Sequence, residues 1–455
     1  MTKATRNAVI LWAVVTCLIV SESLWIYTRH GLDGFQAFMQ EGPYTNIPIT
    51  LASVAFTWLM AGFLLWLVSS GRLRRGNLLG WSGFFIVAFS YINMLRERVR
   101  YGDIDYYIQA ASNLFHRQAL PVTYLYPPLW ATLLSFLVPY GDESILVVAW
   151  VANLLSLFLF YLLLIRTLER YEFDPHAAAL TALVFILVNM PIMRTLMYVQ
   201  VNLHVMNLIL LSLLLYKDRP FLSSLALALA VHLKASPAVL VLAFLLEFNW
   251  KWLAWFIFSM LVLTAFTLAI YGATPFFDFI NNFDLLNAPR TLSMRDNSFD
   301  SAIGVTLSYF RADFAATRAL VLFAKGVTAV VAIILSLRAR VFYPAEESGT
   351  RLFNSVVPLF IAMTLSAPLM WEHHGVFVAL PALLLTRKLA SPAEWTLFGT
   401  SYLAVFLLPT FDYYPWSYAR LLGILILLGL LWITRNRSDN PLFPAFNAWA
   451  ASLSK

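Results

Sequence analysis

Apolar residues fill this chain in runs near the roughly 20 residues that cross a bilayer as a helix. Polar residues gather in the gaps between the runs. The pattern predicts membrane helices at 8–27, 47–69, 78–95, 145–165, 177–196, 200–216, 220–233, 236–248, 252–271, 314–337, 352–370, 375–386, 394–409 and 417–434. The expected fold class is all-α, a polytopic integral membrane protein with about 14 transmembrane helices, short and broken ones included. Segment 126–140 is apolar but too short to span comfortably. Counting it as a crossing places Arg166–His176 outside and spoils the charge pattern that follows. It reads as a re-entrant or interfacial helix on the outer side. Segments 220–233 and 236–248 are also short, and they meet at Lys234-Ala235-Ser236-Pro237. Proline supplies no backbone donor, so a break there leaves carbonyls that protein or water must satisfy. A broken hairpin with a lysine at its tip suits an anionic group.

Composition settles the class that the pattern suggests. Of 455 residues, 60% are hydrophobic and 12% charged, more apolar surface than a soluble protein of this size can hide. No long polar segment divides the chain, so residues 1–455 read as one membrane-embedded domain. Cys17 is the single cysteine, which excludes a disulfide within the chain. The first run, Ala8 to Tyr27, is too long for a signal peptide and lacks a small-residue cleavage site, so it reads as an anchor. Stretch 438–455 reads as an inner interfacial segment or as a disordered tail.

Charge orients the helices. With both termini cytoplasmic, the cytoplasmic gaps hold more than half of the 31 Lys and Arg, as the positive-inside rule expects. The two longest outer loops, 96–125 and 272–313, are basic nonetheless, with Arg96, Arg98, Arg100, Arg117, Arg290, Arg295 and Arg311. This is either solvated loop charge or attraction to lipid phosphates, worth roughly 1 kcal/mol per residue near an anionic surface. The net charge of +7 fits both. No basic-aromatic motif suggests nucleic acid; membrane lipids are the expected surroundings.

Four places can carry chemistry. Asp103 and Asp105 follow a membrane-length run, and residues two apart cannot share a helical face. Either they cap the amphipathic helix that follows, about 106–117, or one serves as a base that takes a proton from a hydroxyl. Trp371-Glu372-His373-His374 ends the run 352–370 on the outer side, and ionisable residues there are functional candidates. Adjacent histidines do not readily ligate one metal ion, so no metal site is expected; hydrogen bonding to phosphate or sugar, or interfacial anchoring, remains. Gln200, His204 and Asn207, spaced four and three apart, share one helix face with Asn202 at the outer entrance. They either bond helices together or wall a substrate cavity. Lys234 either snorkels to the interface or pairs with a phosphate.

In order, Asp103-Ile-Asp-Tyr-Tyr107 with Ala110-Ala111, Tyr126-Pro-Pro-Leu129, Val199-Gln-Val-Asn202, Leu233-Lys-Ala-Ser-Pro237, Asp296-Asn-Ser-Phe299 and Ser366-Ala-Pro368 with Trp371-Glu-His-His374 resemble glycosyltransferase family 87. These are GT-C-type membrane enzymes that use polyprenyl-phosphate sugars, typically mannose, outside the cytoplasm. The resemblance covers roughly residues 96–390, between N-terminal helices at 1–95 and C-terminal helices and tail at 391–455. It implies an inverting transfer from a polyprenyl-phosphate donor to a glycolipid or glycan acceptor. It places the reaction on the extracytoplasmic side of the plasma membrane, the bacterial inner membrane, with no cofactor. Asp103 matches the family's catalytic aspartate, since Tyr107 and Ala110-Ala111 then fall at the family spacing; Asp105 is the fallback. Lys234 matches a lysine near the lipid phosphate, and His373 and His374 match paired histidines. Tyr107, Tyr126, Gln200, Asn202, His204, Asn297 and Glu372 join them as expected substrate-binding residues. Basic neighbours are expected to keep the aspartate ionised down to mildly acidic pH. The chain departs from the family at Val199, where Gly is usual, at Asp296-Asn-Ser in place of Asn-Gln-Ser, at Glu372 in place of Asp, and in two extra helices before the aspartate loop.

A transporter or lipid-linked sugar flippase is the main alternative, because a polytopic chain with a broken helix fits that class too. The absence of a detectable inverted repeat and the concentration of ionisable residues on one membrane face argue against it. An accessory subunit without activity would not need the aspartate, lysine and histidines together.

Overall fold

The structure is a computed structural model. It describes residues 103–187, 189–285, 296–310, 314–343, 348–408 and 414–437, with isolated positions elsewhere. The expected spans 8–27, 47–69 and 78–95 fall outside the described residues apart from scattered positions, as do Arg96, Arg98, Arg100, Arg290, Arg295 and Arg311. Among the described residues every regular element is helical. In chain order the α-helices are α1 (Asp103–Phe115), α2 (Pro128–Ser135), α3 (Asp142–Arg170), α4 (Pro175–Leu187), α5 (Met190–Met197), α6 (Asn202–Leu215), α7 (Pro220–Leu233) and α8 (Val241–Leu246). Then follow α9 (Trp250–Tyr271), α10 (Thr274–Leu285), α11 (Phe299–Ser308), α12 (Phe314–Phe342), α13 (Ser348–Leu365), α14 (Ala379–Leu385), α15 (Pro392–Tyr402) and α16 (Ala419–Ile433).

Four described segments are long and apolar enough to cross a membrane: Asp142–Arg170, Trp250–Tyr271, Thr317–Phe342 and Trp416–Ile433. They expose many large apolar side chains, such as Ile257, Phe258 and Leu261 on α9 and Leu322 and Phe323 on α12, the surface that a lipid solvent requires. The run expected as one span at 177–196 is two helices bent by 60°. Asn189 caps the second by accepting from the Ile192 N–H at 2.9 Å, and Pro191 sits in its first turn, where a missing N–H donor costs nothing.

The short segments behave as their composition suggests. α2 has eight residues, a rise of about 12 Å, too little to cross a core of about 30 Å. α7 begins at Pro220 and stops at Leu233 with 14 residues, about 21 Å. Beyond Lys234 the chain runs as a 3-10 turn, Ser236–Leu240, before α8, so the second arm is not one regular helix. Small polar residues join the helices: Asn207 of α6 donates to the Ser156 carbonyl of α3 at 2.7 Å, and Ser223 of α7 donates to the Ser212 carbonyl of α6 at 2.7 Å. For Asn207 the helix-bonding reading holds.

Two backbone details aim the site. α5 ends with Val199 N–H on the Leu196 carbonyl and Gln200 N–H on the Thr195 carbonyl, at 3.1 and 2.9 Å. This is a Schellman ending, which needs a left-handed residue at its apex. Val199 supplies it at φ 53°, where glycine is free of steric cost. The turn sends Gln200 and Asn202 inward, both fully buried. Gly375 lies in a seven-residue 3-10 segment, Glu372–Val378, packed on α5. A Cβ there would sit 2.6 Å from Pro191 Cγ.

Gly375→Ala is therefore expected to destabilise by about 1–3 kcal/mol through overpacking. Pro191→Ala in the same chain should restore part of it, because the offending Cγ is gone. Thermal midpoints of the two single variants and the double variant in detergent check this; purely additive losses would contradict it.

Candidate active site

Asp103 opens α1, whose inward stripe is Ile104, Tyr107, Ile108, Ala110, Ala111 and Leu114. Asp103 and Tyr107, four apart, share that face. Asp103 lines a cavity of about 580 Å³, and Asp105 is exposed and does not. The cavity is also lined by Tyr126, Lys234, His373 and His374, and by an apolar wall that includes Val239, Met363, Pro368, Leu369 and Phe377. Each polar member sits where a helix stops or has yet to start. Tyr126 precedes the Pro127-Pro128 start of α2, Lys234 follows α7, and the histidines lie in the 3-10 segment before α14.

Tyr126 Oη donates to Asp103 Oδ2 at 2.7 Å. Gln200 Oε1 lies 3.3 Å from the same hydroxyl, but a phenol has one proton and the shorter contact to the carboxylate takes it. Tyr107 Oη donates to Gln200 Oε1 at 3.4 Å, and its ring meets the Tyr126 ring edge-on at 5.2 Å. One edge of the carboxylate is thus held by a tyrosine that the buried Tyr107 and Gln200 fix in turn.

Lys234 Nζ donates to Asn202 Oδ1 at 2.9 Å and lies 2.7 Å from His374 Nε2. Its stem passes the rings of Tyr126 and Phe377, with Nζ 5.8 and 5.5 Å from their centroids. His374 Nδ1 accepts from the Trp371 N–H at 3.2 Å, and the Leu369 carbonyl is also in reach of the ring. The pair can therefore exist in two ways: a neutral amine accepting from Nε2–H, or an ammonium donating to Nε2 while Nδ1–H turns to Leu369. Asn202 Nδ2 also donates to the His373 carbonyl at 3.3 Å, tying α6 to the histidine segment.

Burial decides the charge states. It raises Asp103 above its ordinary value; the hydrogen bond of Tyr126, the nearby Gln200 amide and the charge of Lys234 pull down and do not offset it. Of the basic neighbours expected to keep the aspartate ionised down to mildly acidic pH, Lys234 does lower the carboxyl, but by less than burial raises it. Burial also lowers Lys234 to about 7, against a smaller upward pull from Asp103. His373 and His374 are held well below their usual range, first by burial and then by the Lys234 charge.

The remaining expected residues lie apart from the cavity wall. His204 packs on the Trp130 ring at 6.0 Å between centroids. Asn297 and its neighbour Asp296 hold the backbone of Met370: Asn297 N–H donates to the Met370 carbonyl and Met370 N–H to Asp296 Oδ1, both at 2.8 Å. Glu372 bonds two buried arginines, Arg194 and Arg420. Arg117, of the basic outer loop, donates to the Ile270 carbonyl at 2.5 Å and covers the Tyr271 ring; it finishes α9. The sequence reading missed Arg194 and Arg420, though each is a charge inside an apolar run, the signal that draws attention to an ionisable residue in a membrane. It also missed Met363 and Phe377, which carry no chemical signature.

Lys234 titration can be measured without any substrate. Acylation by a small amine reagent, read at the Lys234 peptide by mass spectrometry, should be half-maximal near pH 7. Asp103→Asn removes the charge that raises Lys234, so the midpoint should move down. A midpoint near 10 would contradict the buried placement.

Residues 124–368 match the sequence model of glycosyltransferase family 87, more than half of the chain. None of the curated proteins compared with the chain matches it.

Proposed function

The chain belongs to glycosyltransferase family 87, and we propose that it moves a sugar, mannose in the first instance, from a polyprenyl-phosphate donor to a hydroxyl of a glycolipid or glycan acceptor. The reaction lies on the extracytoplasmic side of the plasma membrane. The observation that carries this reading is a carboxylate and a lysine–histidine pair facing one cavity that also has an apolar wall. The wall suits the first lipid units of the donor, and the polar end suits its phosphate and sugar.

Asp103 is the base. Tyr126 holds Oδ2, which leaves the other oxygen for the acceptor hydroxyl. As that hydroxyl attacks the anomeric carbon opposite the phosphate, its proton passes to Asp103 and the bond from carbon to phosphate oxygen breaks. The electron pair leaves with the polyprenyl phosphate, which gains one negative charge. Lys234 as ammonium and His374 stabilise that charge where it develops. Asp105, exposed on the other face of α1, takes no part.

Asp103→Asn should fold, bind donor and lose transfer on the order of 10²-fold or more, with Asp105→Asn close to the parent. Initial rates at equal membrane abundance check this; near-parent rates in both variants would return the aspartates to helix capping. The pH profile follows from the two shifts. The base must be ionised and its carboxyl is raised, so the acid limb of kcat/KM should lie above the ordinary carboxylate range. The ammonium must be charged and Lys234 titrates near 7, so kcat/KM should fall above about pH 7. Tyr126→Phe removes a bond to the ionised carboxylate, which raises Asp103 further and should move the acid limb to higher pH. Radiolabelled polyprenyl-phosphate mannose fed to purified protein with candidate acceptors tests the reaction itself. Label in the acceptor is expected; label carried across a vesicle membrane without transfer would favour the flippase.

A further inference from the structure

One buried group of charges has no part in the chemistry above. Arg194 in α5 donates from Nε to Glu372 Oε2 at 3.0 Å, and Arg420 in α16 donates from Nη2 to Glu372 Oε1 at 3.3 Å. Both arginine side chains are 2% exposed and the glutamate 10%. None of the three lines the cavity. Burying such a group costs more desolvation than burying apolar residues of the same volume, so stability alone is a weak reason for it.

Its contacts point toward the site. Glu372 is the residue before His373. Arg194 also donates to Tyr198 Oη at 3.2 Å, and the Tyr198 ring meets the His373 ring edge-on at 6.3 Å. Arg420 donates to the Val405 and Leu408 carbonyls at 3.1 and 2.7 Å. These belong to the turn in which α15 unwinds through a π-helical stretch, Leu403–Leu407. It donates as well to Thr410 Oγ1 at 2.5 Å, which accepts from Asn297 Nδ2 at 3.4 Å. Two separate parts of the chain, α5 and α16, thus converge on one carboxylate. The element that carries it is a short 3-10 segment, which has little rigidity of its own. A carboxylate with each oxygen held by a different guanidinium is fixed in position and in rotation.

We infer that Arg194, Glu372 and Arg420 are positioning residues that hold His373 and His374 against Lys234, and so shape the phosphate end of the cavity. The inference rests on the proposed transferase reading for its effect on turnover. The two guanidinium charges also lie among the causes that keep His373 uncharged, after burial and Lys234, so this imidazole acts as a hydrogen-bonding group in the site and not as a counter-ion.

Glu372→Asp and Arg194→Lys keep every charge and break the geometry: the shorter carboxylate cannot reach both arginines, and lysine has one nitrogen where arginine uses two separate ones for Glu372 and Tyr198. Arg387→Lys is the control, since Arg387 pairs with Glu172 at 3.0 Å and neither residue lines the cavity. Per folded enzyme, the two site variants should lose kcat by about tenfold or more with a several-fold rise in donor KM, and the control should match the parent. The labelling midpoint of Lys234 in membranes is the second readout and needs little protein. It should shift in both site variants, because His374 moves relative to Nζ. Parent kinetics, or a parent midpoint where a variant is too scarce for kinetics, would overturn the inference. If Asp103→Asn abolishes transfer while the site variants turn over normally, the clamp fails and the reaction stands. If the parent itself transfers nothing, the reaction fails, and the labelling midpoint still decides the clamp.

Discussion

The contact of Lys234 Nζ with Asn202 at 2.9 Å and His374 at 2.7 Å is the interaction on which the site depends. It joins three places where helices end: the break after α7, the start of α6 and the 3-10 segment before α14. A membrane gives backbone groups at such ends no water to bond, so irregular chain survives only where protein or a wet cavity satisfies it. The fold answers this at each end with a local device. Proline opens α2 and α7, where a missing donor costs nothing. Asn189 caps α5, a Schellman turn closes it, and Arg420 takes up the carbonyls where α15 unwinds. The breaks that expose polar groups are therefore the same breaks that make a cavity.

Within that cavity two effects compete, and burial prevails over charge. Opposite charges should keep Asp103 acidic and Lys234 basic. Desolvation is the larger cause for both and pushes both toward neutrality. An uncharged or weakly charged pair is easier to hold beside an apolar wall, and a phosphodiester entering the cavity would favour the ammonium form of Lys234. An arriving phosphate would in this way offset the desolvation that holds Lys234 near 7.

Much of the site was legible because the chemistry falls at helix boundaries, and boundaries leave local marks. Pro220 and Lys234-Ala-Ser-Pro237 bracket α7 at its observed limits. Segment 126–140 reads as too short to span comfortably, and its α-helix has eight residues. The four-residue step from Asp103 to Tyr107 puts both on the buried stripe of α1, with Asp105 outside it. What periodicity cannot encode is which distant elements meet. Arg194 and Glu372 are 178 positions apart, and Arg420 is 48 from Glu372; each looks isolated in the sequence. Glu372 and Asn297 were expected in the cavity by their motifs, yet they hold the segment that lines it. The bend between α4 and α5 also escaped, although Asn189 and Pro191 mark it, because the apolar runs on either side of them read together as one span. At Val199 the sequence difference from the family is visible, but the left-handed backbone that gives it meaning is not.

The central claim is that one cavity holds a base at one side and a phosphate site at the other. A cryo-EM structure of the full chain with bound polyprenyl phosphate tests it most directly. The account predicts phosphate density within hydrogen-bond reach of Lys234 Nζ and His374 Nε2, the lipid leaving along the wall of Val239, Met363 and Leu369, and open space between the phosphate and Asp103 for a sugar. Phosphate bound elsewhere, or a lipid chain lying across Asp103, would contradict it.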